Sequence, residues 1–391
     1  VDADELDQVL KTVRGFVRDR VVPREPEIDA EDRVPDEIRT AAAEMGLFGF
    51  AIPEEYGGLG LSMAEEARLV MELGWTTPSL RSMFGTNNGI AGHVLLEGGT
   101  EEQKHTWLPR LASGEVVASF ALTEPDAGSN PAGLRTRATL TPEGAWEISG
   151  AKRFITNAPT ADVFMVFART DPDATGAKGI TAFLVPRDTP GLSVAPKDRK
   201  MGQFGAHTAD VHFDGVRVGP EYVVGGADPV AGAVGRGYSI AMRCLSHGRI
   251  HIAALCVGMA DRLVEESVAY TRTREQGGRP IAAFQLVQGL VADSVTDLYA
   301  GRSLVLEVAR AFDAGTDMRV GPATAKYFAS EMVGRVADRA VQIHGGAGYM
   351  RESTVERFYR DARLFRIYEG TSQIQQVIIA REVIGAAVDG G

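Results

Sequence analysis

Cysteine is nearly missing from this chain: among 391 residues only Cys244 and Cys256 are cysteines. Both fall in one predicted helix, where their spacing sets them roughly 18 Å apart, too far to pair. A disulfide framework is therefore excluded, and a reduced, cytoplasmic protein is the expectation. Long apolar runs are missing as well. The best candidate, residues 252–260, is too short to span a bilayer. The opening segment lacks the pattern of a signal peptide. Residues 2–22 are acidic and amphipathic, with Leu6, Val9, Leu10, Val13, Phe16 and Val17 on one helical face. Basic residues are in deficit, 41 Lys and Arg against 52 Asp and Glu for a net charge of −11, and no polybasic run is present. That balance argues against nucleic acid as a partner, while leaving room for anionic small ligands held by a few local arginines.

What is present is an ordinary globular composition, 44% hydrophobic and 24% charged, in a chain long enough for two or three domains. Its periodicity changes twice. Residues 1–118 predict a helical domain, with helical spacing over residues 37–45, 63–73 and 101–111 and Gly/Pro loops between. Residues 119–226 predict an antiparallel β domain, a barrel or sandwich. Its expected strands are residues 117–123, 134–141, 145–149, 163–169, 180–186 and 211–218. Residues 227–391 return to helical spacing in long segments, 238–273, 284–314, 322–344 and 372–387, which predicts a four-helix bundle. The fold class is thus α+β and multidomain. The apolar stretch Ile252, Ala253, Ala254, Leu255 and Val257 is expected to lie partly in a subunit interface.

One carboxylate is conspicuous by its setting. Glu369 lies between Tyr368 and Gly370, just before a helix that Thr371 or Ser372 can cap and that continues through Ile374, Val377, Ile378 and Ile379. A carboxylate aimed from a short loop against packed helices suits a general base. The same residues also fit a first-turn acid that balances the helix dipole. His247 and His251 share one helical face, but no carboxylate or cysteine stands at ligand spacing, so a structural role is expected and no metal. His344-Gly345-Gly346 lacks an accompanying nucleophile elbow. The glycine-rich runs at 57–60 and 345–348 do not follow a strand in a βαβ unit, so they are not dinucleotide fingerprints.

Four segments in this order resemble the acyl-CoA dehydrogenase family of flavoproteins. They are Phe120-Ala-Leu-Thr-Glu-Pro-Asp-Ala-Gly-Ser129, Lys152-Arg-Phe-Ile-Thr-Asn157, Gln342-Ile-His-Gly-Gly-Ala-Gly-Tyr349, and the segment from Arg360 through Glu369 to Gln375. The resemblance implies FAD as cofactor. It sets Phe120, Leu122 and Thr123, at a strand end with freed backbone groups, against the flavin ring. Ser129 falls to the pyrophosphate, and Phe154 and Thr156 to the ring's packing. It implies that a second subunit completes the site through Arg274 at the pyrophosphate, with Gln285, Gln342, Gly345 and Gly346 at adenosine and phosphate, and Thr371 and Gln373 as further contacts. Gly277 departs from the family, which usually has phenylalanine three residues after the arginine.

The reaction implied is α,β-dehydrogenation of an acyl-CoA thioester to the enoyl-CoA. Glu369 takes the α-proton, and the β-hydrogen leaves as hydride to the flavin N5. The Glu369 N–H and a flavin ribityl hydroxyl steady the thioester oxygen. Some members carry the base on the long helix, where this chain has Gly248, so Glu369 alone can act. Arg249, Ser129, Tyr368 and Gly370 are the implied substrate-side residues. A helix start lowers the carboxyl pKa of Glu369 and burial raises it, with burial expected to prevail. Glu72 and the segment Leu80-Arg81-Ser82-Met83 are expected near the far end of the acyl pocket. Arg81-Ser82 resembles a pair that glutaryl-CoA dehydrogenases use for a terminal carboxylate, but Gly74 stands where their glutamate would be. Arg81 is accordingly expected at the surface, and the substrate to be a plain short- to medium-chain acyl-CoA. An electron-transfer flavoprotein is the implied electron acceptor and a homotetramer the implied assembly. Alternatives are a glutaryl-CoA-type dehydrogenase, an acyl-CoA oxidase, or a non-catalytic FAD- or CoA-binding scaffold.

Overall fold

The computed structural model describes residues 3–228 and 232–385. Residue 2 of the first expected helix and residues 386–387 of the last lie outside them. The helical N-terminal part comprises α1 (Ala3–Gly15), α2 (Glu25–Glu31), α3 (Asp36–Glu44), α4 (Met63–Leu73), α5 (Pro78–Asn88), α6 (Ile90–Gly98) and α7 (Glu101–Ala112). Capping boxes start α4 (Ser62 with Glu65) and α7 (Thr100 with Gln103), satisfying first-turn N–H groups. Helices α5 and α6 were not expected. Nearly every residue of α5 is buried, so it shows no apolar stripe for periodicity to find.

The middle of the chain forms one curled seven-stranded sheet: β1 (Ala118–Ala121), β2 (Arg137–Leu140), β3 (Trp146–Thr156), β4 (Val163–Arg169), β5 (Ile180–Pro186), β6 (Leu192–Val194) and β7 (Thr208–Val218). The pairs β2–β3, β3–β7, β4–β5 and β6–β7 are antiparallel as expected. Two pairings depart from that pattern: β4 lies parallel to β1 and, at its end, to β2. The β2–β3 hairpin supplies the long excursion that a parallel return requires. Strand β4 is a continuous apolar run because both its faces are covered. Val163, Met165 and Phe167 point into a core shared with α6 and α8 (Gly237–Thr273), whereas Phe164, Val166 and Ala168 point into the core of the sheet itself.

The C-terminal part continues from α8 through the short hairpin β8 (Glu275–Gln276) and β9 (Arg279–Pro280). Then come α9 (Gln285–Asp313), α10 (Val320–His344), α11 (Thr354–Ala362) and α12 (Ser372–Ile384). Helix α8 spans roughly 55 Å, and α10 packs on α8, α9 and α12 to make the bundle. The two helical parts share one hydrophobic core that joins α1 and α4 to α8, α9 and α10. This overturns one expectation. Ile252, Ala253, Ala254, Leu255 and Val257 are buried within the chain's own core, not at a subunit interface. They are covered because α4 crosses α8 closely. A Cβ at Gly74 would come 2.5 Å from the Leu255 carbonyl oxygen, and one at Gly258 would meet Gly74 Cα at 2.8 Å.

Candidate active site

Glu369 occupies the link between the 3-10 turn Arg363–Arg366 and α12, with a φ of 52°. A non-glycine residue in this left-handed region persists only where its surroundings hold it there. Gln375, buried on the first turn of α12, donates from Nε2 to the carbonyl oxygens of Glu369 (3.1 Å) and Gly370 (2.9 Å). Lys326 of α10 donates from Nζ to the same Gly370 carbonyl at 2.7 Å. Thr371 is the N-cap, its Oγ1 accepting from the Ile374 N–H. Glu369 therefore precedes the cap, and its carboxylate serves no helix N–H.

The carboxylate instead faces α8. Its Oε2 is buried without a hydrogen-bond partner. A Cβ added at Gly248 would collide with that oxygen and lie 2.8 Å from Cγ2 of Ile90. Position 248, the alternative place for a base that the resemblance implies, thus converges on the same point in space. Burial pushes the Glu369 carboxyl above its ordinary range, and the positive charges of Arg81, Lys326 and Arg249 hold it back. Burial in turn lowers Lys326 to about 8 and depresses Arg249. Arg249 is 6% exposed, its Nε has no partner, and it has no ion-pair partner among the described residues. It is part of this corner and not of a surface ion pair.

Arg81 corrects the expectation of a surface residue. It is 7% exposed on α5, and its Nη2 donates to His251 Nδ1 at 3.1 Å. Glu72 turns elsewhere, held by Arg14 of α1 at 3.0 Å from Nε. The two histidines of α8 also have the carboxylate that sequence spacing did not supply. Glu66 of α4 lies with its Oε2 3.0 Å from His247 Nε2 and 2.5 Å from His251 Nε2. No local signal connects positions so far apart in the chain.

The remaining site candidates form two groups. Phe120 is buried on β1, its ring 4.8 Å from that of Phe167. The carbonyls of Leu122 and Thr123 are not free, however: Lys152 Nζ donates to the first (3.1 Å) and the Arg153 N–H to the second (2.8 Å). Phe154 sits at an irregularity of β3 with φ 57° and is 59% exposed, so its ring offers an uncovered face. Thr156 adjoins β1, its carbonyl accepting from Ser119 Oγ at 2.7 Å, and Ser129 is exposed in the loop after β1. The second group surrounds a cleft of about 360 Å³ where Arg274, Tyr270, His344, Gly345 and Gly346 meet. Gln285, Gln342 and Gln373 are exposed but do not line it.

Three family descriptions cover this architecture in order: "Acyl-CoA dehydrogenase, N-terminal domain" over residues 3–115, "middle domain" over 119–216 and "C-terminal domain" over 235–384. The chain is 38% identical over 375 residues to an acyl-CoA dehydrogenase of Bacillus subtilis, covering 96% of this chain and 97% of that protein. The chain belongs to the acyl-CoA dehydrogenase family. It is also 39% identical to acryloyl-CoA reductase (NADH) of Anaerotignum propionicum, over 97% of this chain and 94% of that one. The solved butyryl-CoA dehydrogenase of Megasphaera elsdenii superposes with a TM-score of 0.93 at 33% identity, covering 98% of this chain and 99% of the other.

Like other acyl-CoA dehydrogenases, the protein is an FAD-dependent oxidoreductase. Its second group of residues fits a diphosphate. Arg274 is exposed without a carboxylate partner among the described residues, and no atom lies within 4 Å of the Cβ positions of Gly345 and Gly346. Anionic oxygens can therefore approach that backbone closely. The Gly277 departure has a local cause. Gly277 and Gly278 form the turn of the β8–β9 hairpin with φ of 62° and 77°, which a phenylalanine would adopt only under strain. Lys326 and Gln375, which hold the Glu369 loop, escaped sequence reasoning. The only hint is a lysine set among the small apolar residues Ala323, Ala325 and Ala329 in the first half of α10.

Proposed function

We propose that the protein dehydrogenates an acyl-CoA thioester between its α and β carbons, with Glu369 as the base. The observation that carries this is the buried, unpartnered Oε2 of Glu369 on a loop fixed by Lys326 and Gln375. A carbon acid is weak, so its base must be aimed and shielded from water, and the raised pKa makes the carboxylate a better proton acceptor. The Glu369 N–H has no backbone acceptor among the described residues, which leaves it to donate to the thioester oxygen as negative charge develops there. FAD, held by Arg274, Gly345 and Gly346 at its diphosphate and by Phe154 and Thr156 at its ring, would supply the acceptor for the β-hydrogen as hydride. Arg249 and Lys326 favour the ionised carboxylate before it takes the proton.

A short- to medium-chain acyl group, a step of fatty-acid β-oxidation and an electron-transfer flavoprotein as acceptor are the accompanying assignments. A homotetramer is supported by the exposure of Leu286 (89%) and Tyr299 (66%) on α9, and by a diphosphate cleft that includes no residue of the base's loop. The burial of Arg81 favours one second reading, an acyl group with a polar or carboxylate end. Against it, Gly74 cannot become the partnering glutamate without driving α4 off α8.

The test is an anaerobic spectrum of the holoenzyme during addition of butyryl-, octanoyl- and glutaryl-CoA. The flavin bands are expected to bleach with a plain acyl-CoA, and Glu369→Gln is expected to slow bleaching by about 10²–10⁴-fold while retaining FAD. Bleaching by glutaryl-CoA alone establishes the second reading. Full bleaching in Glu369→Gln at the parent rate shows that Glu369 is not the base.

A further inference from the structure

A buried chain of hydrogen bonds runs from α4 through α8 to α5, beside the base. Glu66 (3% exposed), His251 (0%) and Arg81 (7%) are its members. Chemistry assigns its protons. Arginine has no acceptor, so the 3.1 Å contact between Arg81 Nη2 and His251 Nδ1 requires Nδ1 to be the bare nitrogen. The imidazole proton then sits on Nε2 and is donated to Glu66 Oε2 at 2.5 Å. We propose that Glu66 and His251 are positioning residues for the reaction, forming a carboxylate–imidazole–guanidinium relay that fixes Arg81 beside Glu369. The proposal rests on Glu369 being the base.

The fold is shaped around this relay. Gly74 and Gly258 let α4 and α8 touch, and Glu66 and His251 lie two turns back along their helices from that contact. Gly85 leaves a bed for Arg81, since a Cβ there would lie 2.7 Å from the guanidinium carbon. A buried guanidinium cannot shed its charge, so its compensation must come from neighbours. Arg81 has no carboxylate within ion-pair distance among the described residues. Its negative counterparts are Glu66, reached through the imidazole, and Glu369, on which Arg81 exerts the largest electrostatic pull. An imidazole interposed between carboxylate and guanidinium holds Arg81 in place without neutralising it on contact.

Other titratable groups face this corner from every side: Lys326 on α10, Arg249 on α8, Asp313 at the end of α9, Tyr368 in the base's loop, Cys256 on α8, and His247, whose ring stacks on His93 of α6 at 3.7 Å. Burial holds both His247 and His251 at about 3, so neither titrates in the working range. The histidine of the relay therefore adds no step to a pH profile near neutrality, whereas Lys326, lowered by burial to about 8, adds one of its own beside Glu369. Glu66, His247 and His251 also have the composition of a metal site, with ligand atoms within 4.8 Å of one another. Arg81 opposes that use. A metal on His251 Nε2 would move the proton to Nδ1, where metal-bound imidazoles donate to an acceptor and Arg81 has none to give.

The experiment measures the pH dependence of anaerobic flavin reduction by a saturating acyl-CoA, on holoenzymes matched for FAD content. Arg81→Met is expected to raise the apparent pKa of the base by about one. His251→Phe is expected to raise it by a smaller amount, and the double variant no further than Arg81→Met alone. His251→Gln, which can accept from Arg81 and donate to Glu66, is expected to return the profile to that of the parent. A side chain needed only for packing would lower stability in His251→Phe and leave the profile in place, and that result overturns the relay. So does a shift in the double variant equal to the two single shifts combined, or a stoichiometric metal whose chelation moves the profile. Retention of reduction by Glu369→Gln sinks the base assignment instead, so the two failures are distinguishable.

Discussion

The two ends of the candidate site are built on opposite plans. Around Glu369, every constraint is internal: Lys326, Gln375 and Thr371 hold the loop, Gly248 vacates the space for the carboxylate, and Arg81, Arg249 and Lys326 supply charge from three different helices. Around Arg274, the guanidinium is exposed without a carboxylate partner among the described residues, and the glycines of the 345–346 loop face open space. A proton-transfer group must be fixed before substrate arrives, because its geometry and pKa both depend on exclusion of water. A diphosphate brings its own charge and shape, so its site needs donors and room more than rigidity. Steric changes should therefore be costly in the first region and mild in the second, while loss of charge should dominate in the second.

The largest effect expected under that contrast comes from the smallest possible addition to the buried corner. Gly248→Ala puts a methyl group where Oε2 of Glu369 lies and against Ile90, so the carboxylate must move by about an ångström. The rate of flavin reduction by acyl-CoA is expected to fall about 10²-fold with FAD content unchanged. Stopped-flow absorbance checks it, and a rate within twofold of the parent would show that the corner is softer than its contacts imply. Next comes the open cleft. Arg274→Met removes the charged guanidinium and keeps an unbranched stem, and a charge-assisted hydrogen bond lost to a phosphate oxygen corresponds to about 10- to 100-fold in FAD affinity. Fluorescence of released flavin measures this. Reduction of the FAD that remains bound is expected to stay near the parent rate.

The same division explains what could be seen without coordinates. Strands β4 and β5 and helix α4 announce themselves because their patterns are local, an apolar run between turn residues or a helical stripe between caps. Glu369 is legible for a similar reason: the acid, the glycine and the capping residue are neighbours in sequence. Arg81 is not legible, because a lone arginine on a helix is read as exposed unless the acceptor that meets it is known, and that acceptor is His251 on α8. The Glu66 contact to His247 and His251 fails in the same way. Spacing along α8 pairs the histidines, but only the close crossing of α4 brings the carboxylate. The parallel placement of β4 beside β1 likewise depends on how the chain returns after the β2–β3 hairpin, which no strand pattern encodes. Local chemistry was readable; the partners of buried charge were not.

The smallest effect should come from Gly277, where the family usually has phenylalanine and this chain makes a turn. Its φ of 62° lies in the region that costs a residue with a side chain about 1 kcal/mol, yet a Cβ there would touch nothing within 4 Å. Gly277→Ala is therefore a pure backbone perturbation of the β8–β9 hairpin, with no clash to confuse it. The hairpin is tied to Arg274 through the Ile281 N–H, which donates to the Arg274 carbonyl at 2.8 Å. Strain in the turn is expected to loosen FAD by no more than about threefold, well short of the effect of Arg274→Met. Gly277→Asn, which tolerates the left-handed region, is expected to bind FAD as the parent does. If Gly277→Ala instead releases flavin as readily as Arg274→Met, the cleft depends on backbone rigidity as much as the buried corner does, and the contrast between the two regions fails.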